Sequence, residues 1–131
     1  MTIDMQGKTV LITGGGRGMG RETALVLGSL GAHVVIVDWE GEAGTRTRDE
    51  INAVGPGHAE FRYCDMSSLA EERALADWFA ATHERLDVLI NNAGITDPVR
   101  RVSADGFEMH LATCHLGHFA LTHGLLDMLK R

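Results

Sequence analysis

A glycine-rich stretch, TGGGRGMG at residues 13–20, carries the clearest chemistry in this 131-residue sequence. It follows an apolar run at residues 8–12, so the pattern predicts a strand that enters a tight turn and then a helix. Gly14, Gly18 and Gly20 let the backbone approach a phosphate closely, and the first amides of the helix carry partial positive charge. The stretch therefore predicts a pyrophosphate site, and an ordinary glycine-rich turn is the alternative.

The next acidic residue in a strand supports the phosphate interpretation. Asp38 lies 18 residues after Gly20, close to the offset of about 20 at which a carboxylate accepts hydrogen bonds from a ribose. Residues 19–30 predict a helix that Gly31 ends, and residues 33–38 predict a buried strand. No Gly-Lys-Ser/Thr follows the glycines, so a P-loop is not indicated. The unit predicts a βαβ dinucleotide site.

Strands and helices continue to alternate to the end of the chain. Further strands are predicted at residues 59–64 and 87–91, and further helices at 42–54, 69–85 and 104–130. Ser103 is the expected N-cap of the last helix, with Phe107, Leu111, Phe119, Leu125 and Leu129 as its apolar stripe. The alternation predicts an α/β Rossmann-type three-layer sandwich whose mostly parallel sheet has the order 3-2-1-4. Residues 1–131 are expected to form this one domain, ending after about four strands and a long helix.

Composition excludes several classes of function. The formal net charge is −6 and the arginines are scattered, which argues against nucleic-acid binding. No apolar stretch approaches the length of a membrane span, and the first four residues do not begin a signal peptide. Cys64 and Cys114 lack metal-ligand spacing, so reduced thiols and a cytoplasmic location are expected. His115 and His118 have i, i+3 spacing, yet no further ligand completes a set, and no metal is predicted.

Four motifs together resemble the short-chain dehydrogenase/reductase family. They are the glycine stretch at 13–20, Asp38, the CDM sequence at 64–66 and the NNAG sequence at 91–94. The DGFE sequence at 105–108 and CHLGHFALT at 114–122 are further similar to the retinol-dehydrogenase-like branch of that family. The resemblance covers essentially the whole chain but corresponds to the N-terminal half of such an enzyme.

The resemblance implies a set of cofactor contacts. They are Gly14, Arg17, Gly18, Met19 and Gly20 at the pyrophosphate, Asp38 at the adenosine ribose, Asp65 and Met66 near the adenine, and Asn92, Ala93 and Gly94 beside the other ribose. Trp39 either stacks on the adenine or covers a helix end. Asp38 accepts ribose hydroxyls and repels the 2′-phosphate of NADP, whereas Arg17 could reach that phosphate. NAD is therefore predicted over NADP.

The catalytic groups that the resemblance implies are missing from this sequence. The family uses a serine and a Tyr-x-x-x-Lys pair for alcohol–carbonyl hydride transfer, whereas Tyr63 is the only tyrosine here and Ser67 stands four residues later. Cys114 occupies the position of an asparagine that holds a relay water in the family, so the proton relay is expected to be impaired. A reactive thiol is a weaker interpretation of Cys114 than an inert apolar side chain.

Two functions remain open from the sequence. One is the cofactor-binding half of an NAD(P)-dependent oxidoreductase, which acts on a small alcohol or carbonyl compound only if a catalytic half is supplied. The other is a non-catalytic module that binds a nucleotide or a protein. Because the fourth strand would present an unpaired edge, homo-oligomers or edge-strand pairing are expected.

Overall fold

A parallel sheet of four strands lies between two layers of helices in the computed structural model, which describes residues 3–131. Along the chain the elements are β1 (Thr9–Thr13), α1 (Gly18–Ser29), β2 (His33–Asp38), α2 (Gly41–Val54), β3 (His58–Tyr63), α3 (Leu69–Thr82) and β4 (Val88–Ile90). The sheet order β3-β2-β1-β4 confirms the predicted order, and each neighbouring pair is parallel. Residues 1 and 2 of the predicted domain lie outside the described residues.

The central strands are apolar along their whole length because both faces of the sheet are covered. Alternate residues point to opposite faces. One face carries Val10, Ile12, Val34 and Ile36 and packs against Ala24 of α1 and Ile51 of α2. The other carries Leu11, Val35 and Val37 and packs against Phe79 of α3 and Leu121 of the last helix. This accounts for the continuous apolar runs in β1 and β2.

The parallel arrangement brings the carboxyl ends of all four strands to one edge of the sheet. From β1, the chain continues to β2 on one side, while β4 lies on the other side of β1. Strand order therefore reverses beside β1. In open α/β sheets the crevice at such a reversal, outside the carboxyl ends of the strands, is where ligands bind.

The prediction of one helix over residues 104–130 with Ser103 as N-cap is wrong at its beginning. The helical segment consists of α4 (Met109–Leu111), a π-helical turn (Ala112–Leu116) and α5 (Gly117–Leu129). Glu108 is the N-cap, and its carboxylate accepts the N–H groups of His110 and Leu111. Ser103 instead closes a turn, donating its N–H to the Phe107 carbonyl at 2.7 Å.

The predicted apolar stripe of the last helix is also wrong in part. Phe107 precedes the helix, and Leu111 and Phe119 are exposed. The buried side of α5 is formed by Gly117, His118, Leu121, Leu125 and Met128. The last three belong to the same core cluster as Phe79 of α3. A π turn holds more residues than an α turn, so a 3.6-residue period does not continue in phase across it. Among the described residues, no helix is both long and apolar enough to cross a membrane.

Candidate functional site

A groove of about 460 Å³ opens at the carboxyl edge of the sheet, within the range of small-molecule sites. It brings together residues that the sequence analysis selected from four separate loops. These are Gly14, Arg17, Met19, Gly20, Asp38, Trp39, Asp65, Met66, Asn92, Ala93 and Gly94. Gly18 lies between two lining residues as the first residue of α1 but is not itself part of the lining.

The N-terminus of α1 presents backbone donors at this groove. Gly14 has a φ of 67°, a left-handed conformation that turns the chain from β1 toward the helix. Arg17 is the N-cap of α1 and makes no side-chain capping bond. Within residues 3–131, no oxygen accepts the N–H groups of Gly18, Met19 or Gly20. Unpaired N–H groups at the positive end of a helix form an anion site.

Gly20 permits the closest approach in this loop. A Cβ at Gly20 would overlap the carbonyl oxygen of Gly14 and lie 2.5 Å from Asn92 Nδ2. The Asn92 amide nitrogen itself donates to the carbonyl oxygens of Thr13 at 3.0 Å and Gly14 at 3.2 Å. Both amide protons of Asn92 are therefore engaged with the glycine loop. Asn92 acts here as a positioning residue for that loop.

Asp38 lies at the end of β2 with its carboxylate held by two backbone donors. Oδ2 accepts the N–H of Gly16 and Oδ1 accepts the N–H of Glu40, each at 2.9 Å. Burial raises the pKa of Asp38, while the Gly16 N–H and the charge of Arg17 oppose that rise. An ionised carboxylate accepts about four hydrogen bonds, so each oxygen can still accept one from a hydroxyl in the groove.

The charge of Arg17 is already compensated. Its guanidinium forms an ion pair with Glu40, two residues after Asp38. Asp38 and Arg17 line the groove, whereas Glu40 does not. Trp39 lies between these acids and is 60% exposed, with its ring available to a ligand.

Thr13 joins the glycine loop to the chain after β4 and to α5. Its Oγ1 accepts the N–H groups of Asn92 and Ala93, each at 3.0 Å. With both lone pairs taken, the hydroxyl proton is donated to Nε2 of His118 at 2.8 Å. His118 is thereby neutral with its proton on Nδ1, which faces the Cys114 carbonyl. Burial also lowers the pKa of His118, in agreement with this assignment.

The segment after β3 forms another wall and is fixed by its own turn. Asp65 Oδ1 accepts the N–H of Ser67 at 2.8 Å, and Ser68 caps α3 by accepting the N–H of Glu71. Met66 is buried in the main core. Burial raises the pKa of the neighbouring Cys64 to about 12, so its thiol stays protonated and unreactive.

Cys114 lies in the π-helical turn beside the chain that follows β4. Its Sγ is 4.0 Å from the carbonyl oxygen of Ile95, and a Cβ at Gly94 would be 3.7 Å from it. The side chain is exposed. Cys114 is not among the residues that line the groove, although its neighbour Thr113 and its contacts Gly94 and Ile95 are.

The groove also contains residues that the sequence analysis missed. Arg101, Met109 and Thr113 line it from the segment between β4 and α5. Arg101 forms an ion pair with Asp97, and its carbonyl accepts the N–H of Met109 at 3.0 Å. No motif marks these positions, because the turn that brings Arg101 to Met109 is not visible in the periodicity of the sequence.

Comparison with known proteins agrees with the fold and the motifs. The family model described as "short chain dehydrogenase" matches residues 8–131. The chain belongs to this family. Human retinol dehydrogenase 11 is 42% identical over 130 residues, which cover 98% of this chain and 41% of that protein. The match confirms the resemblance seen in the motifs. The chain spans about two-fifths of the length of the curated relatives it matches.

Solved structures of family members share the same architecture. A metagenomic short-chain oxidoreductase in complex with NADP aligns with a TM-score of 0.83 at 32% identity, covering 95% of this chain and 57% of that one. A short-chain dehydrogenase/reductase from Burkholderia phymatum in complex with NAD aligns with a TM-score of 0.81 at 27% identity, covering 98% and 46%. Both dinucleotides therefore occur among the structural neighbours.

Proposed function

We propose that this chain forms the NAD-binding part of a short-chain dehydrogenase that interconverts an alcohol and a carbonyl compound. One observation carries the proposal. Unpaired N–H groups at the start of α1 and the carboxylate of Asp38 face the same groove. The first can bind a pyrophosphate, and the second retains lone pairs for ribose hydroxyls. The residues present thus fit a dinucleotide.

The preference for NAD follows from the charges around Asp38. A 2′-phosphate on the adenosine ribose would meet the carboxylate of Asp38, and the guanidinium of Arg17 already pairs with Glu40. Placing a phosphate beside this carboxylate is unfavourable, whereas hydroxyl groups can donate to Asp38. Structural neighbours bind either NADP or NAD, so the distinction in this chain depends on these side chains.

Bound NAD would supply the hydride acceptor for oxidation of an alcohol. The residues of this chain bind and orient the cofactor: α1 holds the phosphates, Asp38 the ribose, and Asn92 and Thr13 fix the loop that approaches it. The 131 residues include no Tyr-x-x-x-Lys pair. We propose that they are inactive alone, and that Cys114 weakens a proton relay even when a catalytic part is supplied.

Calorimetric titration of the chain with NAD and with NADP tests this proposal. We expect NAD to bind more tightly than NADP. Asp38→Asn keeps the shape of the side chain but removes its charge. The affinity for NAD should therefore fall about tenfold, and the ratio of NAD affinity to NADP affinity should decrease. Asp77→Asn, on the exposed side of α3, is the matched control and should change neither affinity. A folded chain with no heat for either dinucleotide would contradict the proposal.

A protein-interaction role is the second candidate, because of the edge of the sheet. β4 pairs with β1 on one side, and within residues 3–131 no strand pairs with its other edge. Its residues are half-buried and apolar, which favours pairing with another strand, including that of a second copy. Light scattering coupled to size exclusion should then show a dimer, and a monomer across the concentration range would contradict this role.

A cytoplasmic location also stays a prediction.

A further inference from the structure

Two histidines and a glutamate meet on one face of the sheet, away from the dinucleotide groove. His33 is the first residue of β2 and is in register with His58 of β3. Glu60 stands two residues after His58 and therefore points to the same face. His83 follows the end of α3, which packs on this face. Three separate elements thus contribute one side chain each.

The three side chains converge through their potential ligand atoms. His33 Nε2 is 3.0 Å from Glu60 Oε1, and His83 Nε2 is 2.5 Å from the same oxygen. All three ligand atoms lie within 4.8 Å of one another. Imidazole nitrogens and carboxylate oxygens bind Zn²⁺ at about 2.0–2.2 Å, which requires ligand atoms roughly 3–3.5 Å apart. A small outward movement of Glu60 would provide that spacing.

Contacts at Nδ1 fix the orientation of the His83 ring. Its Nδ1 is 3.3 Å from the Phe79 carbonyl oxygen and 2.9 Å from Thr82 Oγ1, whose own proton is donated to the Trp78 carbonyl. Both neighbours of Nδ1 are therefore acceptors, so Nδ1 carries a proton, and Nε2 shares a second proton with Glu60 Oε1, which a metal ion would displace on binding. Metal-bound histidines usually donate their other ring N–H to a carbonyl or carboxylate oxygen, which fixes the orientation of the ring.

Packing limits the freedom of both rings. His83 stacks on Phe79 with ring centroids 4.1 Å apart and an interplanar angle of 6°, and His33 stacks on His58 at 4.1 Å. The side chains of His33, His83 and Glu60 are 22%, 9% and 38% exposed. An ion can thus reach the cluster from solvent and meet largely preoriented ligands.

We propose that His33, Glu60 and His83 form a binding site for a divalent transition-metal ion of the Zn²⁺ type, with water completing the coordination. Two imidazoles and one carboxylate suit Zn²⁺, whereas Ca²⁺ and Mg²⁺ prefer all-oxygen sites. The ion would join β2, β3 and the end of α3. The site is independent of the dinucleotide groove, and its presence or absence does not bear on NAD binding.

Titration of the tag-free chain with Zn²⁺ tests the site. We expect one ion per chain and a rise in melting temperature on addition of Zn²⁺. Glu60→Gln removes the shared ligand with little change of shape and should weaken Zn²⁺ binding at least about tenfold and abolish the thermal shift. His123→Gln, on the exposed surface of α5, is the matched control and should bind like the parent chain.

A second measurement uses the unaltered chain, so that a misfolded variant cannot confuse the result. Imidazole resonances of His33 and His83 should move together as Zn²⁺ is added, with saturation at one equivalent. The proposal is overturned if Glu60→Gln binds Zn²⁺ as tightly as the parent, or if resonances of other histidines respond while these two stay unchanged.

Discussion

Replacement of Gly20 by alanine is expected to weaken NAD binding at least about tenfold and to lower the free energy of unfolding by about 2–3 kcal/mol. The added Cβ would overlap the Gly14 carbonyl oxygen and crowd Asn92 Nδ2. Either the glycine loop moves away from β4 or Asn92 loses its two hydrogen bonds to that loop. Both outcomes displace the N–H groups of α1 from the groove. Calorimetry and urea denaturation measure the two effects.

Gly41→Ala is the matched control for this substitution. Gly41 begins α2, is exposed, and has open space around an added Cβ. The expected change in stability is small, within about 0.5 kcal/mol, and NAD affinity should be unaltered. The account of the glycine loop would be contradicted if Gly20→Ala bound NAD with the affinity of the parent chain and unfolded at the same urea concentration.

Replacement of Glu72 by glutamine is expected to stabilise the protein at alkaline pH. Glu72 lies on α3 and is fully buried, and neither of its carboxyl oxygens has a hydrogen-bond partner among residues 3–131. A Cβ at Gly117 would overlap Glu72 Oε1, so the carboxyl group is pressed against the start of α5. Burial, together with the nearby Asp105 and Asp65, raises its pKa from 4.5 to about 8.

The sign of the pH dependence follows from this raised pKa. Below about pH 4.5 the group is protonated in both the folded and the unfolded chain, so it adds no pH dependence. Between pH 4.5 and about 8 the unfolded chain releases the proton first, and stability falls as the pH rises. The shift corresponds to about 5 kcal/mol at most, and partial solvation of the ionised group reduces it. We expect Glu72→Gln to gain about 2–3 kcal/mol at pH 8.5 and almost nothing at pH 4.

Urea denaturation of the parent and Glu72→Gln chains between pH 4 and 9 measures this difference. Asp77→Asn removes a carboxylate from the exposed side of the same helix and should follow the parent curve at every pH. Parallel curves for the parent and Glu72→Gln chains would show that Glu72 does not carry a buried, destabilising charge.

The sheet could be predicted because its signals are local. Continuous apolar runs indicated β1 and β2. Because crossovers between parallel strands are right-handed, alternating strands and helices are compatible with only a few strand orders. The last helix was mispredicted because two backbone features control it that apolar periodicity does not reveal. The turn from Ser103 to Phe107 is closed by backbone bonds and a glycine, Gly106, with a φ of 84°. The π-helical turn then shifts the buried face of α5 away from Phe119.

The candidate site, too, could be predicted only in part from the sequence. Asp38 and the glycine stretch follow strands directly, so parallel strands bring them together at one edge. The engagement of Arg17 by Glu40 and of Asn92 by the glycine loop depends on side-chain geometry, which spacing does not reveal. The cluster of His33, Glu60 and His83 is likewise spread over 51 positions and depends on strand register and on the point where α3 ends.

An NAD titration of the ¹⁵N-labelled chain, followed by its amide resonances, shows directly whether the N-terminus of α1 binds the pyrophosphate. The account predicts that the amides of Gly18, Met19 and Gly20 shift with one common binding curve, because their unpaired N–H groups receive the pyrophosphate. The amide of Asp77, on the exposed side of α3, should stay in place. A folded chain in which NAD leaves the three α1 amides unchanged, or shifts only residues outside the groove, would contradict the account.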